Sequence, residues 1–227
     1  MAATADPPED GAGVDDSSLF YDTWLDWLVA GLLVLEGLVA TWLGVSVVGD
    51  IGRAFAEEFA AEFFASPDAS SFPLTEPELA DVVYTVGTWA GWGVVLTGLV
   101  MVAAGIWFWR YRQGVRERLA DGHPAPRWHA PLLGGLLATA LLFVPFVQVL
   151  GGAVAGYLSD RSAIVDGVLA GVVFGAPAYV LWAAVVTGTF ASGVGGVGVL
   201  MLIALVVYVL FDVVLGAVGG LVGGLLS

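Results

Sequence analysis

The sequence predicts an all-α membrane protein with about five transmembrane helices and a short amphipathic surface helix between the first and second. Three observations carry this. Hydrophobic residues fill 59% of the 227 positions and charged residues only 12%, half the roughly 25% of a soluble domain. Several apolar runs reach about 20 residues, enough for a helix to span the roughly 30 Å hydrocarbon core. Short clusters of proline, serine, glycine and charge separate these runs and end helices there.

Residues 1–23 carry acid and no basic residue, so they read as a disordered acidic tail rather than a signal peptide. The first span runs from Leu28 to Val48, with Trp24, Trp27 and Trp42 as interfacial aromatics. In "DIGRAFAEEFAAEFF" the residues Ile51, Phe55, Phe59 and Phe63 recur every four positions. Arg53, Glu57, Glu58 and Glu62 take the other side, the pattern of a helix lying in the membrane surface. "TEPE" opens the second span as a capping box, Thr75 with Glu78 and Pro77 in the first turn. Its apolar part extends from Val82 to Trp109. The third span is expected over Leu132–Leu158, the fourth over Ile164–Thr187 and the fifth over Val197–Val222. Residues 24–130 thus form a two-helix unit, and residues 131–227 a glycine-rich three-helix module.

Five of the seven arginines fall between Arg110 and Arg127. The positive-inside rule puts that loop in the cytoplasm of a cell-membrane protein. Counting five crossings from it leaves the N-terminus inside, the surface helix outside and the C-terminus outside.

No lysine is present, and 21 acidic residues give a net charge of −14. That balance rules against nucleic acid or an anionic lipid surface as an electrostatic partner, and the lipid bilayer is the expected surroundings. It suits molar salt, where the Debye length falls to about 3 Å and exposed carboxylates scarcely repel. The source reads as an extreme halophile; a GC-rich genome explains the missing lysines but not the acid excess.

Glycine weakens a helix by about 1 kcal/mol relative to alanine, yet it recurs inside these spans. Gly152 and Gly156 lie four apart in the third. Gly167, Gly171 and Gly175 do so in the fourth, and Gly216, Gly220 and Gly224 in the fifth. Lipid is as apolar as leucine, so helices in it associate through close backbone approach, which small residues permit. Packing within the chain is the primary reading, and a homo-oligomer through these glycine faces is the second.

Two acids interrupt the apolar runs: Glu36 in "LLVLEGLVA" and Asp212 in "VYVLFDVVLG". An ionised carboxylate at the bilayer centre costs about 2.5–3.5 kcal/mol on insertion scales. No arginine falls within an apolar run, so each acid must be protonated, face water or bind a cation. Gln148 joins them as a candidate intramembrane polar site. Pro145 and Pro177 sit mid-span and are expected to kink their helices.

Catalytic patterns are missing. Zero cysteines exclude disulfides and thiolate chemistry. His123 and His129, the only histidines, stand six apart in a proline-containing segment read as a solvated loop, and form no helical metal pair. No phosphate-binding loop, nucleophile elbow or zinc-protease helix is present, so no enzyme activity, cofactor or metal is expected.

From Pro131 onward, "FVPFVQVLGGAVAGYL", a short polar turn, "DGVLAGVVFGAP" and the closing "LGAVGGLVGGLL" resemble haloarchaeal membrane proteins grouped as domain of unknown function 5518. The resemblance implies a membrane module and no assigned activity. The sequence therefore reads as a non-enzymatic integral membrane protein with a structural or accessory role. The rival reading is a proton- or cation-coupled transporter or channel subunit using Glu36 and Asp212.

Overall fold

The computed structural model describes residues 22–66, 69, 72–159 and 162–227. Most of the expected acidic tail therefore lies outside the described residues. Within them the chain is helical: α1 (Thr23–Asp50), α2 (Arg53–Phe64), α3 (Glu76–Ala120), α4 (His129–Ala140), α5 (Val147–Tyr157), α6 (Ala163–Ala191) and α7 (Gly195–Leu226). α1, α3, α6 and α7 are long and apolar enough to cross a membrane. With the split apolar segment α4–α5, the apolar segments number the five or so expected.

α3 begins where the capping box said it would. The Thr75 amide and hydroxyl both donate to Glu78 Oε2, at 2.7 and 2.8 Å. α2 packs Ala56 and Ala60 against Leu79 and Ala80 of α3 and leaves Phe55 and Phe59 exposed. Phe63 instead turns inward, its ring edge against Phe72.

α1 and α3 run antiparallel, with Gly37 against Gly98 and Gly105 against Ala30. α3 and α6 are antiparallel, with Gly93 against Ala184 and Gly188 against Trp89. α6 and α7 are antiparallel as well, Gly167 meeting Gly216 and Gly171 meeting Asp212. The four long helices therefore form a row in chain order.

The third expected span is a hairpin. Gly134 lies against Gly151 and Ala155, and Ala138 against Gly151, so α4 and α5 run side by side in opposite directions. Twelve residues of α4 and eleven of α5 reach only about 16–18 Å at 1.5 Å per residue, roughly half the hydrocarbon thickness. Between the legs, the chain reverses through Leu141–Phe146. Pro145 cannot donate a helical hydrogen bond there, and Phe146 adopts φ +57°, a left-handed conformation uncommon outside glycine. The expected kink at Pro145 is thus a full reversal. The turn bonds part of its own backbone: Leu141, Leu142 and Val144 donate to Ala138, Thr139 and Leu141.

The hairpin decides which helix ends lie together. α4 runs parallel to α6, with Gly135 beside Ala170 and Val173, and α5 runs parallel to α7, with Gly152 on Gly216 and Gly156 on Gly220. The start of α1, the end of α3, both ends of the hairpin pair, the start of α6 and the end of α7 all lie at one end of the bundle. The first and last described helices therefore have their outer ends at the same end of the bundle, because α4 and α5 run in opposite directions.

Candidate functional site

At the hairpin tip, three elements bring polar side chains together. α7 contributes Asp212, fully buried near the helix midpoint. Gln148, in the first turn of α5, donates from Nε2 to Asp212 Oδ1 at 3.4 Å. Tyr179 of α6 donates its hydroxyl to Asp212 Oδ2 at 3.2 Å. Tyr208, one turn before Asp212, sets its ring edge-on to Tyr179 with centroids 6.2 Å apart.

Glycine makes room for this cluster. A Cβ on Gly175 would run into the Tyr179 hydroxyl and Asp212 Oδ2, and one on Gly171 into the Asp212 carbonyl. Gly171 thus lets the α6 and α7 backbones touch, while Gly175 opens the space in which the carboxyl sits.

Helix ends add partial charges. α5 starts at the tip, so its positive dipole end is beside Asp212 through Gln148. α6 is continuous from Ala163 to Ala191, but Pro177 inside it leaves the carbonyl of Val173 without its helical donor. Thr97 of α3 donates to the Pro177 carbonyl at 3.1 Å, and Thr139 of α4 reaches the Phe174 carbonyl at 3.4 Å. Among the described residues, no basic side chain pairs with Asp212.

The structure brings Asp212 and Gln148 together and leaves Glu36 apart. Glu36 lies part-buried on α1, beside the α1–α3 seam, with Oε2 buried and no hydrogen-bond partner among the described residues. Gln148, the third candidate, belongs to the Asp212 cluster. The remaining glycines line seams: Gly152, Gly156, Gly167, Gly216 and Gly220 meet backbone across the α5–α7 and α6–α7 contacts, and Gly224 faces Ala163.

A second polar cluster, at the end of the bundle where the hairpin begins, escaped the sequence reading. Arg112 Nε donates to Asp26 Oδ1 at 2.5 Å, and Arg116 donates to Asp26 Oδ2. Arg112 Nη1 donates to His129 Nε2 at 3.0 Å, so His129 is neutral and carries its proton on Nδ1. Asp26 and Arg112 are fully buried, and His129 is 2% exposed. The solvated-loop reading holds for exposed His123 and fails for His129, because α4 docks by its first residue onto α3. Burial, then the Arg112 charge, pushes the His129 imidazole down to about 4. This clasp ties α1, α3 and the first leg of the hairpin. The signal available in the sequence was "WLDWL", an acid placed between two tryptophans at the start of an apolar helix.

Residues 128–226 match the model of a family described as "Family of unknown function (DUF5518)", which bears out the resemblance noted from Pro131 onward. The matched segment spans α4–α7, so Gln148, Tyr179, Tyr208 and Asp212 lie inside it, while Asp26, Glu36 and Arg112 lie outside. No curated protein and no solved structure matches the chain.

Proposed function

We propose that this multi-pass membrane protein passes protons or small monovalent cations through the bilayer, with residues 128–226 as the conducting module and Asp212 as its central site. One observation carries the reading: a buried carboxyl without a basic partner, held where a half-length helical hairpin ends. Intramembrane acids cost enough that they mark ion pathways by default. The start of α5 inside the bundle supplies a helix dipole end beside Asp212, and Pro177 frees one carbonyl of α6, features that ion-coupled membrane proteins use to hold charge. Tyr179, Tyr208 and Gln148 are the side chains that exchange hydrogen bonds with Asp212 as its charge or occupant changes. The protein is non-enzymatic in this reading and works in the cell membrane of a salt-adapted organism, which the acid excess supports.

A structural or accessory role is the second reading. It is favoured by the two donors that already satisfy both Asp212 oxygens, as a static buried network requires. Flux measurements separate the two. In liposomes, the wild type is expected to carry proton or sodium flux above the leak of protein-free vesicles. Asp212→Asn, nearly isosteric, is expected to return it to that leak, and Glu36→Gln to leave it unchanged. Wild-type vesicles no leakier than empty ones, or an Asp212→Asn protein with full flux, would discard the ion pathway.

The Arg110–Arg127 segment supports a cytoplasmic placement for the end of the bundle that holds both termini, with α2 outside. The absence of native cysteine allows a direct check. A single cysteine replacing Ser227 should react with a membrane-impermeant maleimide only after the cytoplasmic side is opened, and one at Ser66 should react in intact cells. Labelling of position 227 in intact cells would overturn this orientation.

A further inference from the structure

The hairpin tip, residues 141–146, carries backbone groups that its own chain leaves unbonded. Among the described residues, the amides of Phe143 and Phe146 donate to nothing. The carbonyls of Leu142, Phe143, Val144 and Pro145 accept nothing. The legs α4 and α5 reach about half the hydrocarbon thickness, so these groups lie near the middle of the bilayer. Lipid offers them no partner, and irregular backbone at this depth persists only inside protein or beside water.

The surrounding side chains decide between protein and water. Leu142, Phe143, Phe146 and Leu150 are each more than half exposed, so the free groups are set in apolar surface. Space lined by leucine and phenylalanine stays dry. Phe146 adds a second observation. Its φ of +57° is a conformation that glycine adopts freely and that strains any residue with a Cβ. The ring held there is 68% exposed, so the contacts that would offset the strain are not made within the described residues.

A covering partner has to present apolar side chains together with free amides and carbonyls, all at the depth of the tip. A second copy of this chain does so by symmetry. A two-fold axis along the membrane normal sets two tips at equal depth, each with both donors and acceptors, as a self-complementary interface requires. The glycine faces do not compete for this role, because Gly152, Gly156, Gly167, Gly216 and Gly220 are already closed against backbone of the same chain.

We propose that two copies of this protein pair through their hairpin tips. Leu142, Phe143 and Phe146 of each copy pack against the other, and the free amides and carbonyls bond across the axis. The inference rests on the hairpin and not on the ion pathway, since Asp212 takes its bonds from Gln148 and Tyr179 within one chain.

The full chain has no native cysteine, so single replacements report contact in the membrane directly. Phe143→Cys is expected to form a covalent dimer with a membrane-permeant bis-maleimide at low protein density. Leu35→Cys, exposed at similar depth on α1, is expected to stay monomeric. Phe146→Gly suits the left-handed turn and removes the ring. It should fold and weaken the dimer, weighed by native mass spectrometry in mild detergent, by about tenfold or more, as loss of a buried aromatic anchor does. The cross-linking pair decides the matter should Phe146→Gly fold poorly. Absence of a Phe143→Cys dimer, equal cross-linking from position 35, or an undiminished dimer in Phe146→Gly would overturn the proposal. So would labelling of the Phe143→Cys protein by a membrane-impermeant maleimide, which gives the tip to water, or its cross-linking only to a protein of different mass.

Discussion

Asp26→Asn is expected to destabilise the folded protein by about 3–5 kcal/mol, the cost of leaving a buried charge without its counter-ion. Arg112 is completely buried and bonds both Asp26 and the neutral His129. Removing the carboxylate takes this counter-ion from a buried guanidinium, and it leaves Arg116 to turn outward. The effect should spread beyond α1, because the same Arg112 holds the first residue of α4. Thermal unfolding in detergent, followed through the nine tryptophans, should show a large loss of stability and the hairpin legs opening to protease early. The double change Asp26→Leu with Arg112→Leu should recover much of that loss, since a buried ion pair replaced as a unit by apolar residues is often near neutral. A single Asp26→Asn protein as stable as the wild type would remove the clasp from the account of the fold.

Gly216→Val should be nearly as damaging for a different reason. Gly216 sits where three helices converge. Its carbonyl faces Gly152 of α5 and Gly167 of α6, and a Cβ on it would stand 3.0 Å from the Gly171 α-carbon. The atoms it would strike are α6 backbone, at Gly167 and Gly171, which cannot rotate away, so α6 must withdraw from α7. Overpacking of a close-packed site costs about 1–3 kcal/mol, and the interface that opens is the one that seats Asp212. Gly196→Val is the matched comparison. It lies on the same helix, and a Cβ there meets nothing within 4 Å, so it should behave as wild type in size-exclusion profile and melting. Equal behaviour of the two variants would mean that the seam is not what holds the module.

These two cases mark what hydropathy and spacing can and cannot say. The long apolar helices, the Thr75–Glu78 start of α3 and the surface helix α2 follow from local rules, and local rules are what a sequence displays. Leu132–Leu158 defeated them because an apolar run reads alike as one long rod or as two short legs. Pro145 was visible, but whether a proline bends or reverses a helix depends on what its flanks can pack against. That packing partner, the Gly216–Gly220 seam, lies far along the chain. Asp212 and Gln148 were legible because polar atoms in hydrocarbon are conspicuous wherever they fall. Tyr179 was not, since a tyrosine near a helix centre passes as an ordinary aromatic. The Asp26–Arg112 pair stayed hidden for a related reason: each residue alone looks like interfacial charge, and only the antiparallel register of α1 and α3 turns two surface charges into one buried bond.

The half-length legs of α4 and α5 also bear on how the protein is made. Neither leg is long enough to be anchored by lipid alone, and the partners that grip them, α6 and α7, leave the ribosome later. During that interval the pair is held through α4, by the bond to Arg112 and by Leu133, Leu136 and Ala140 packed into the core of α1 and α3. Synthesis therefore passes through a stage in which α5 waits for the rest of its own chain, and a product truncated before α7 is expected to present that leg unsheltered to proteases.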